Sequence, residues 1–399
     1  MERFFNTLTI LAFVLIIFGV GYTTIFGEHT EDKSFYENRY LEKPVPLTWE
    51  SYTSGEFTKK AEKAFSDHIM NRDELLKLYT KLNRSVLGKT EVNKVVFGEG
   101  VLLPYYSTNS FDKDKTDREI EEMTASLVRL DALVEENGGK LVFAAIPAQF
   151  SLYNDKFPDY VCTYSPKLDY VREHFLTGLE EKGVDCIDFK EVYSQREDKD
   201  RLYFKTDHHF TCYGAFAAYQ EIMKAFNNKS LKVLTEEEMD YKTVDNAFLG
   251  SMSRKIYDIY PHEDKLTICY PKEQIPFKRY DNGQQVAAEL FKLPEEGKYA
   301  DYESFMGVDR GEVIIDTERP DLPSVLIFGD SYTNGIETLL YYGFDKMYSL
   351  DCRYYKTMSV ADYIKEKKPD YVVYVRDDTI YLSRENNGDF FGEYKESDK

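Results

Sequence analysis

Asp207, His208 and His209 stand side by side in RLYFKTDHHFTCYGAF, residues 201–216, and take two of the six histidines in the chain. An acid beside two histidines offers a metal site, the base half of a catalytic triad, or a polar helix start with no chemistry. Much later comes SVLIFGDSYTNG, residues 324–335. Its apolar run ends in Gly-Asp-Ser, and a helix is expected to follow. Ligands of open parallel sheets bind outside the carboxyl ends of the strands. A serine on such a turn, Ser331, exposes its hydroxyl, and its backbone N–H at a helix start can face a developing oxyanion. That geometry suits a nucleophile.

A nucleophilic serine needs a base, and a neutral histidine oriented by a carboxylate supplies one. If residues 207–209 are extended, side chains two apart point the same way. Asp207 and His209 then share one side and His208 takes the other. His209 reads as the base and Asp207 as its orienter. His208 reads as a structural or substrate-contacting residue, with the base role as its alternative. Asp and His also ligate metals, yet adjacent residues rarely hold one ion together. His68, His174 and the His262/Asp264 pair stand apart from them in sequence. No metal and no cofactor is therefore expected. Asn334, Arg353 and Arg376 are candidates by position for further oxyanion or substrate contacts.

These side chains need a scaffold, and the pattern around them is α/β. Ile120, Met123, Leu127, Leu130 and Val134 recur at helical spacing, and Gly138-Gly139 stops that helix. KLVFAAIP (140–147) and VDCIDF (184–189) are short apolar runs of the buried-strand type, with a helix over 167–182 between them. Thr211 is placed to cap a helix over 212–227 that turns Phe216, Tyr219, Met223 and Phe226 inward. The rhythm lapses over 240–315, which reads as a β/loop insertion. It returns with the strand before Ser331, a helix near 333–342, and strands near 346–350 and 371–376. Strands alternating with helices predict a mostly parallel sheet covered on both faces.

The amino-terminal part differs. Residues 8–27 hold 20 positions without a charge, matching the about 20 residues that span a bilayer. Arg3 precedes this run, and Glu28, Glu31 and Asp32 follow it. The charge bias predicts a single-pass anchor with the bulk of the chain extracytoplasmic, a cleaved signal peptide being the alternative. The expected organisation is an anchor or signal over 1–27, a tether and helices broken near Asn71 over 28–90, and a catalytic domain over 91–399. Net charge is −20, which argues against nucleic acid as a partner. The five cysteines, at 162, 186, 212, 269 and 352, form no CxxC. Cys162 and Cys186 are the nearest pair if one bridge forms. Tyrosine supplies 33 residues, a composition that suits sugar-handling surfaces and is also common on Tyr-rich protein surfaces.

KTDHHFTCYGAF resembles the signature of the bacterial DHHW proteins, with Phe210 where Trp is usual. These are similar to the SGNH-like acetyltransferases of alginate O-acetylation. Further blocks resemble the family in the same order: ENRYLEKP (37–44), FLGSMSRKIYDIYPHEDKLTICYP (248–271), FGDSYTNGIETLL (328–340) and LDCRYYKTMSVADYI (350–364). The resemblance implies an SGNH-hydrolase-like three-layer sandwich with permuted motif order, since Asp and His here precede the serine. It implies Ser331 as nucleophile, His209 as base and Asp207 as its partner. It also implies transfer of acetyl to hydroxyls of a cell-surface or secreted polysaccharide, with a membrane-bound O-acyltransferase supplying the acetyl unit. Phe210 is then expected at a sugar-facing wall. A carbohydrate acetylesterase with the same triad, or a non-catalytic glycan-binding or assembly protein, are the rival readings.

Overall fold

Three of the apolar runs align as neighbouring parallel strands, and their alternate residues turn to opposite faces. The computed structural model describes residues 2–27, 32–43, 45–106 and 111–394. Two compact units result: Met1–Val95 with Ser253–Pro261, and Val96–Met252 with His262–Lys399. The larger unit holds a sheet of β1 (Lys140–Ile146), β2 (Cys186–Asp188), β3 (Lys278–Asp281), β4 (Gln284–Val286), β5 (Glu312–Asp316), β6 (Val325–Phe328), β7 (Lys346–Leu350) and β8 (Tyr371–Asp377). Their spatial order is β4-β3-β5-β7-β6-β8-β1-β2. The pairs from β7 through β2 are parallel, and those on the β4-β3-β5-β7 side are antiparallel.

Five helices of this unit cover the sheet: α4 (Lys113–Glu136), α5 (Ser165–Glu181), α6 (Cys212–Ala225), α7 (Tyr332–Leu340) and α8 (Val360–Lys367), the first three labels belonging to the smaller unit below. Leu141, Phe143, Leu326, Phe328, Val372 and Tyr374 face one cluster with α4, α5 and α8. Val142, Ala144, Val325, Ile327, Val373 and Val375 face the other with α6 and α7. Burial on both sides is why these strands are continuously apolar rather than alternating. Each Val, Leu, Ile or Phe among them contributes roughly 1.5–3 kcal/mol relative to exposure. Asp112 caps α4 by accepting from the Lys115 N–H, and Gly138 closes it in the left-handed region at φ 85°. Thr211 caps α6 through the Tyr213 N–H.

The segment 240–315 is not a free-standing insertion. It begins in an antiparallel pair, Met239–Thr243 with Thr267–Pro271. It then supplies β3, β4 and β5, the antiparallel side of the main sheet.

The smaller unit contains α1 (Glu2–Phe26), α2 (Glu56–Asp67) and α3 (Arg72–Lys81). Arg3–Phe26 is long and apolar enough to cross a membrane, as a single-pass anchor or a signal sequence is. Asn71, at φ 55°, breaks α2 from α3; asparagine tolerates this region better than most residues. Asp67 accepts two bonds from the Arg39 guanidinium, at 2.7 and 2.5 Å. The expected tether carries a short helix, Trp49–Thr53, with a Thr48/Ser51 capping box. All five cysteines are free thiols, so the nearest pair, exposed Cys162 and half-buried Cys186, is not bridged.

Candidate active site

β6 runs beside β8 and ends at Phe328, level with Tyr374, while β8 continues beside β1 to Asp377. Gly329 follows, and a Cβ there would sit 2.5 Å from the Val375 carbonyl oxygen. Only glycine lets the turn cross its neighbour at that distance. The buried Asp330 carboxylate accepts from the Tyr332 N–H at 3.1 Å and pins the turn. Ser331 is the residue before α7, with φ −56° and ψ −11°, and its hydroxyl caps nothing in the helix. It bonds instead to His209 Nε2 at 2.7 Å.

The other side of the imidazole is equally committed. His209 Nδ1 lies 2.7 Å from Asp207 Oδ1, which also accepts the His209 backbone N–H at 3.0 Å. Asp207 Oδ2 accepts from the Ser251 N–H at 2.6 Å. With Nδ1–H donating to a carboxylate, Nε2 is the acceptor for the serine proton. Burial works against a charge on Asp207, but His209, then His208 and the Ser251 N–H, outweigh it and hold the carboxyl well below its ordinary range. A carboxyl held ionised beside an imidazole suits the orienter of a serine triad.

Gly250 makes the Ser251 contact sterically feasible. A Cβ on Gly250 would fall 2.2 Å from the Thr206 carbonyl oxygen. The expected extended step is not formed: residues 205–209 bend, the His208 ring stays 3.8 Å from the His209 ring, tilted 37°, and its Nδ1 meets Ser251 Oγ at 2.8 Å. Its side chain is 41% exposed against 9% for His209. The donor atoms of Asp207, His208 and His209 all lie within 4.8 Å, close enough for an ion. Their hydrogen bonds nevertheless tie Asp207 to His209, and His209 to Ser331.

The remaining candidates are held by other partners. Asn334 Nδ2 donates to Asp309 at 3.1 Å. Arg353 is held by Asp351 at 2.6 Å and Asp309 at 2.8 Å. Arg376 is buried, and its guanidinium donates to the carbonyls of Ile380 and Ser383 at 3.3 and 3.0 Å. Phe210 is a correction: it is fully buried, with its ring 5.3 Å from Tyr332 and 6.2 Å from Tyr203. It packs the core behind the histidines and forms no sugar-facing wall. A Cβ on Gly335 would meet Phe210 and Ala215 at 2.9 Å each, so this packing draws α6 and α7 together.

Three participants were not singled out from sequence. Ser251 binds both Asp207 and His208. The Tyr332 hydroxyl donates to the His208 carbonyl at 2.7 Å. The Tyr302 ring stacks on His209 with centroids 3.7 Å apart and planes 2° from parallel. At the end of β8, burial and then the Asp330 charge push the Asp377 carboxyl up to about 6. Burial pushes its neighbour Asp378 up to about 7.

Residues 104–292 match the family model described as the SGNH hydrolase-like domain of acetyltransferase AlgX. That span is similar to an SGNH-like domain. The matched span includes Asp207 and His209 and ends before Ser331. Among solved structures, Bacillus cereus PatB1 with a sulfonyl adduct is similar at a TM-score of 0.62 and 22% identity, over 74% of this chain and 98% of that one. A DHHW family protein from Eubacterium siraeum is similar at 0.55 and 18%, over 75% and 95%. No curated protein matches the chain. The match to an acetyltransferase domain supports an O-acetyltransferase or an esterase.

Proposed function

We propose that the protein is an O-acetyltransferase that modifies a cell-surface or secreted polysaccharide through Ser331, His209 and Asp207. The observation carrying this reading is the unbroken chain Ser331 Oγ, His209 Nε2, His209 Nδ1, Asp207 Oδ1, with 2.7 Å at each hydrogen bond. His209 Nε2 takes the Ser331 proton as Oγ attacks the acetyl carbonyl of the donor. The tetrahedral oxyanion forms at the start of α7, where the helix dipole and the Ser331 N–H stabilise it. Its collapse expels the donor's leaving group, which takes the proton from Nε2, and leaves acetyl on Oγ. A sugar hydroxyl then gives its proton to Nε2 and attacks the acyl group. Oγ departs and recovers the proton. Asp207 stays ionised throughout and keeps the imidazole in the Nδ1–H tautomer.

The apolar amino-terminal helix fits an uncleaved anchor that keeps the domain outside the membrane, beside a membrane-bound O-acyltransferase as acetyl donor. Intact mass spectrometry after exposure to an activated acetyl ester tests the mechanism, with Ser331→Ala as control. An acetyl adduct on Ser331 in the wild type alone supports transfer, and a sugar acceptor should then discharge it. Ester turnover without an adduct and without transfer favours an esterase. No adduct and no turnover, with glycan binding intact, defeats the catalytic reading.

A further inference from the structure

The segment read from sequence as a loop insertion grips the base half of the site at two points. Ser251 holds Asp207 and His208, as described. Tyr302 comes from the far end of the same segment and covers one face of the His209 imidazole. The ties that set its place are specific. The Leu249 N–H donates to the Ala300 carbonyl, and the Ala300 N–H to the Ala247 carbonyl, both at 2.8 Å. Residues 247–249 and 300 are thereby locked together, two residues from Ser251 on one side and two from Tyr302 on the other. The Asp301 side chain accepts from the Glu303 N–H at 3.1 Å and starts the short turn that Tyr302 opens. The Phe305 ring, 5.2 Å away, backs the tyrosine.

Tyr302 is only 5% exposed, so it is no substrate platform. Its hydroxyl end reaches α7, where a Cβ on Gly335 would come within 3.3 Å of it. One ring thus touches the base and the helix that begins at the nucleophile. The hydrogen bond from Nδ1 to Asp207 fixes the imidazole at one edge but leaves it able to rock about that bond. A rock of a few tenths of an ångström at Nε2 spoils the line to Ser331 Oγ. A flat ring at 3.7 Å with a 2° interplanar angle blocks that rocking on one face, and the His208 ring also lies close, 3.8 Å away and tilted 37°.

We propose that Tyr302 is a positioning residue for the base: it sets the plane of the His209 imidazole so that Nε2 meets the Ser331 hydroxyl. The aromatic face matters and the hydroxyl does not. This rests on His209 acting as the base.

The test compares the full chain with Tyr302→Phe and Tyr302→Leu on an activated aryl acetate, in detergent. Tyr302→Leu should lower kcat roughly ten- to a hundredfold, in line with the cost of misplacing a catalytic group, and leave KM nearly unchanged. Tyr302→Phe should restore kcat to near the wild-type value. Equal losses in both variants, or no loss in Tyr302→Leu, overturn the proposal. A second readout does not depend on turnover. In histidine-labelled protein, with the resonance assigned by His209→Gln, the ring protons of His209 should carry a ring-current shift from Tyr302. That shift should persist in Tyr302→Phe and vanish in Tyr302→Leu. If it is present and no ester is turned over, the catalytic reading fails and the stack stands. If all three proteins give the same shift, the stack itself is wrong, whatever the activity.

Discussion

His209 Nε2 and Ser331 Oγ stand 2.7 Å apart although 122 positions separate the two residues in the chain. The sheet makes the meeting possible. β6 delivers Ser331 at its carboxyl end, and α6, which follows His209 closely, packs on α7, which follows Ser331. Gly335 permits that approach, with Phe210 and Ala215 filling the space a side chain would need. The triad order Asp-His-Ser therefore needs no unusual loop, because two neighbouring helices carry its halves.

Asp207→Asn tests the orienter. The carboxylate serves three donors, the His209 N–H, the His209 ring and the Ser251 N–H. An amide has one acceptor oxygen, so either orientation turns an NH2 group toward a donor. Facing His209 Nδ1, that group drives the imidazole proton to Nε2, where it blocks the Ser331 proton. We expect kcat on an activated ester to fall by about 10³–10⁴ and stability to fall by about 1–3 kcal/mol. Steady-state kinetics and urea unfolding check both, and near-normal activity would remove Asp207 from the mechanism.

Much of this arrangement is legible in the sequence because it is local. The apolar runs of β1, β6 and β8, the helical spacing from Ile120 to Val134, and the Thr211 cap each declare themselves within a few residues. The pairing of Asp207 with His209 is local too, but a bend makes it rather than an extended step, and His208 stays beside both. What stays hidden is set by distant partners. No periodicity marks Tyr302 as the ring over His209, since its place comes from the Ala247–Ala300 pairing. Arg353 follows β7 and Arg376 lies near the end of β8, but carboxylates hold the first guanidinium and carbonyls the second. Phe210 follows His209 directly and yet is fully buried, packed against Tyr203 and Tyr332.

Gly250→Ala tests whether the Ser251 contact depends on close backbone approach. The new methyl would meet the Thr206 carbonyl at 2.2 Å, so one of the two segments must move. Overpacking of this kind costs about 1–3 kcal/mol. The movement also carries the Ser251 N–H off Asp207, so activity should fall along with the unfolding midpoint. Retained activity in a destabilised protein would mean that Ser251 is dispensable to the orienter.

Arg376→Ala separates a structural arginine from an oxyanion donor. Truncation leaves the Ile380 and Ser383 carbonyls without their donor in a buried place. We expect a loss of about 1–3 kcal/mol with kcat on a small acetyl ester within a few-fold of wild type. A large fall in kcat at unchanged stability would return Arg376 to the list of groups that touch the reacting atoms.

Asp378→Asn tests the buried carboxyls beside the site through the pH dependence of stability. Asp378 accepts from the Ala148 N–H at 3.0 Å, a bond that an amide oxygen keeps. Burial raises its folded-state pKa from 3.8 to about 7. Between those values the folded protein holds a proton that the unfolded chain has released. The stabilisation from this group is therefore fully present below about pH 3.8 and is lost as pH rises through about 7, with a slope of at most about 1.4 kcal/mol per pH unit. Asp207 acts in the opposite sense, because its carboxyl is held low, and its contribution is lost only in more acidic solution, in both proteins alike. Asp377, at about 6, remains in both and adds its own decline. Urea unfolding at several pH values from 4.5 to 7.5 should thus show the variant gaining on the wild type as pH rises. A constant difference across that range would mean that Asp378 carries its charge in the folded protein already at pH 4.5, and that some group not invoked here balances it.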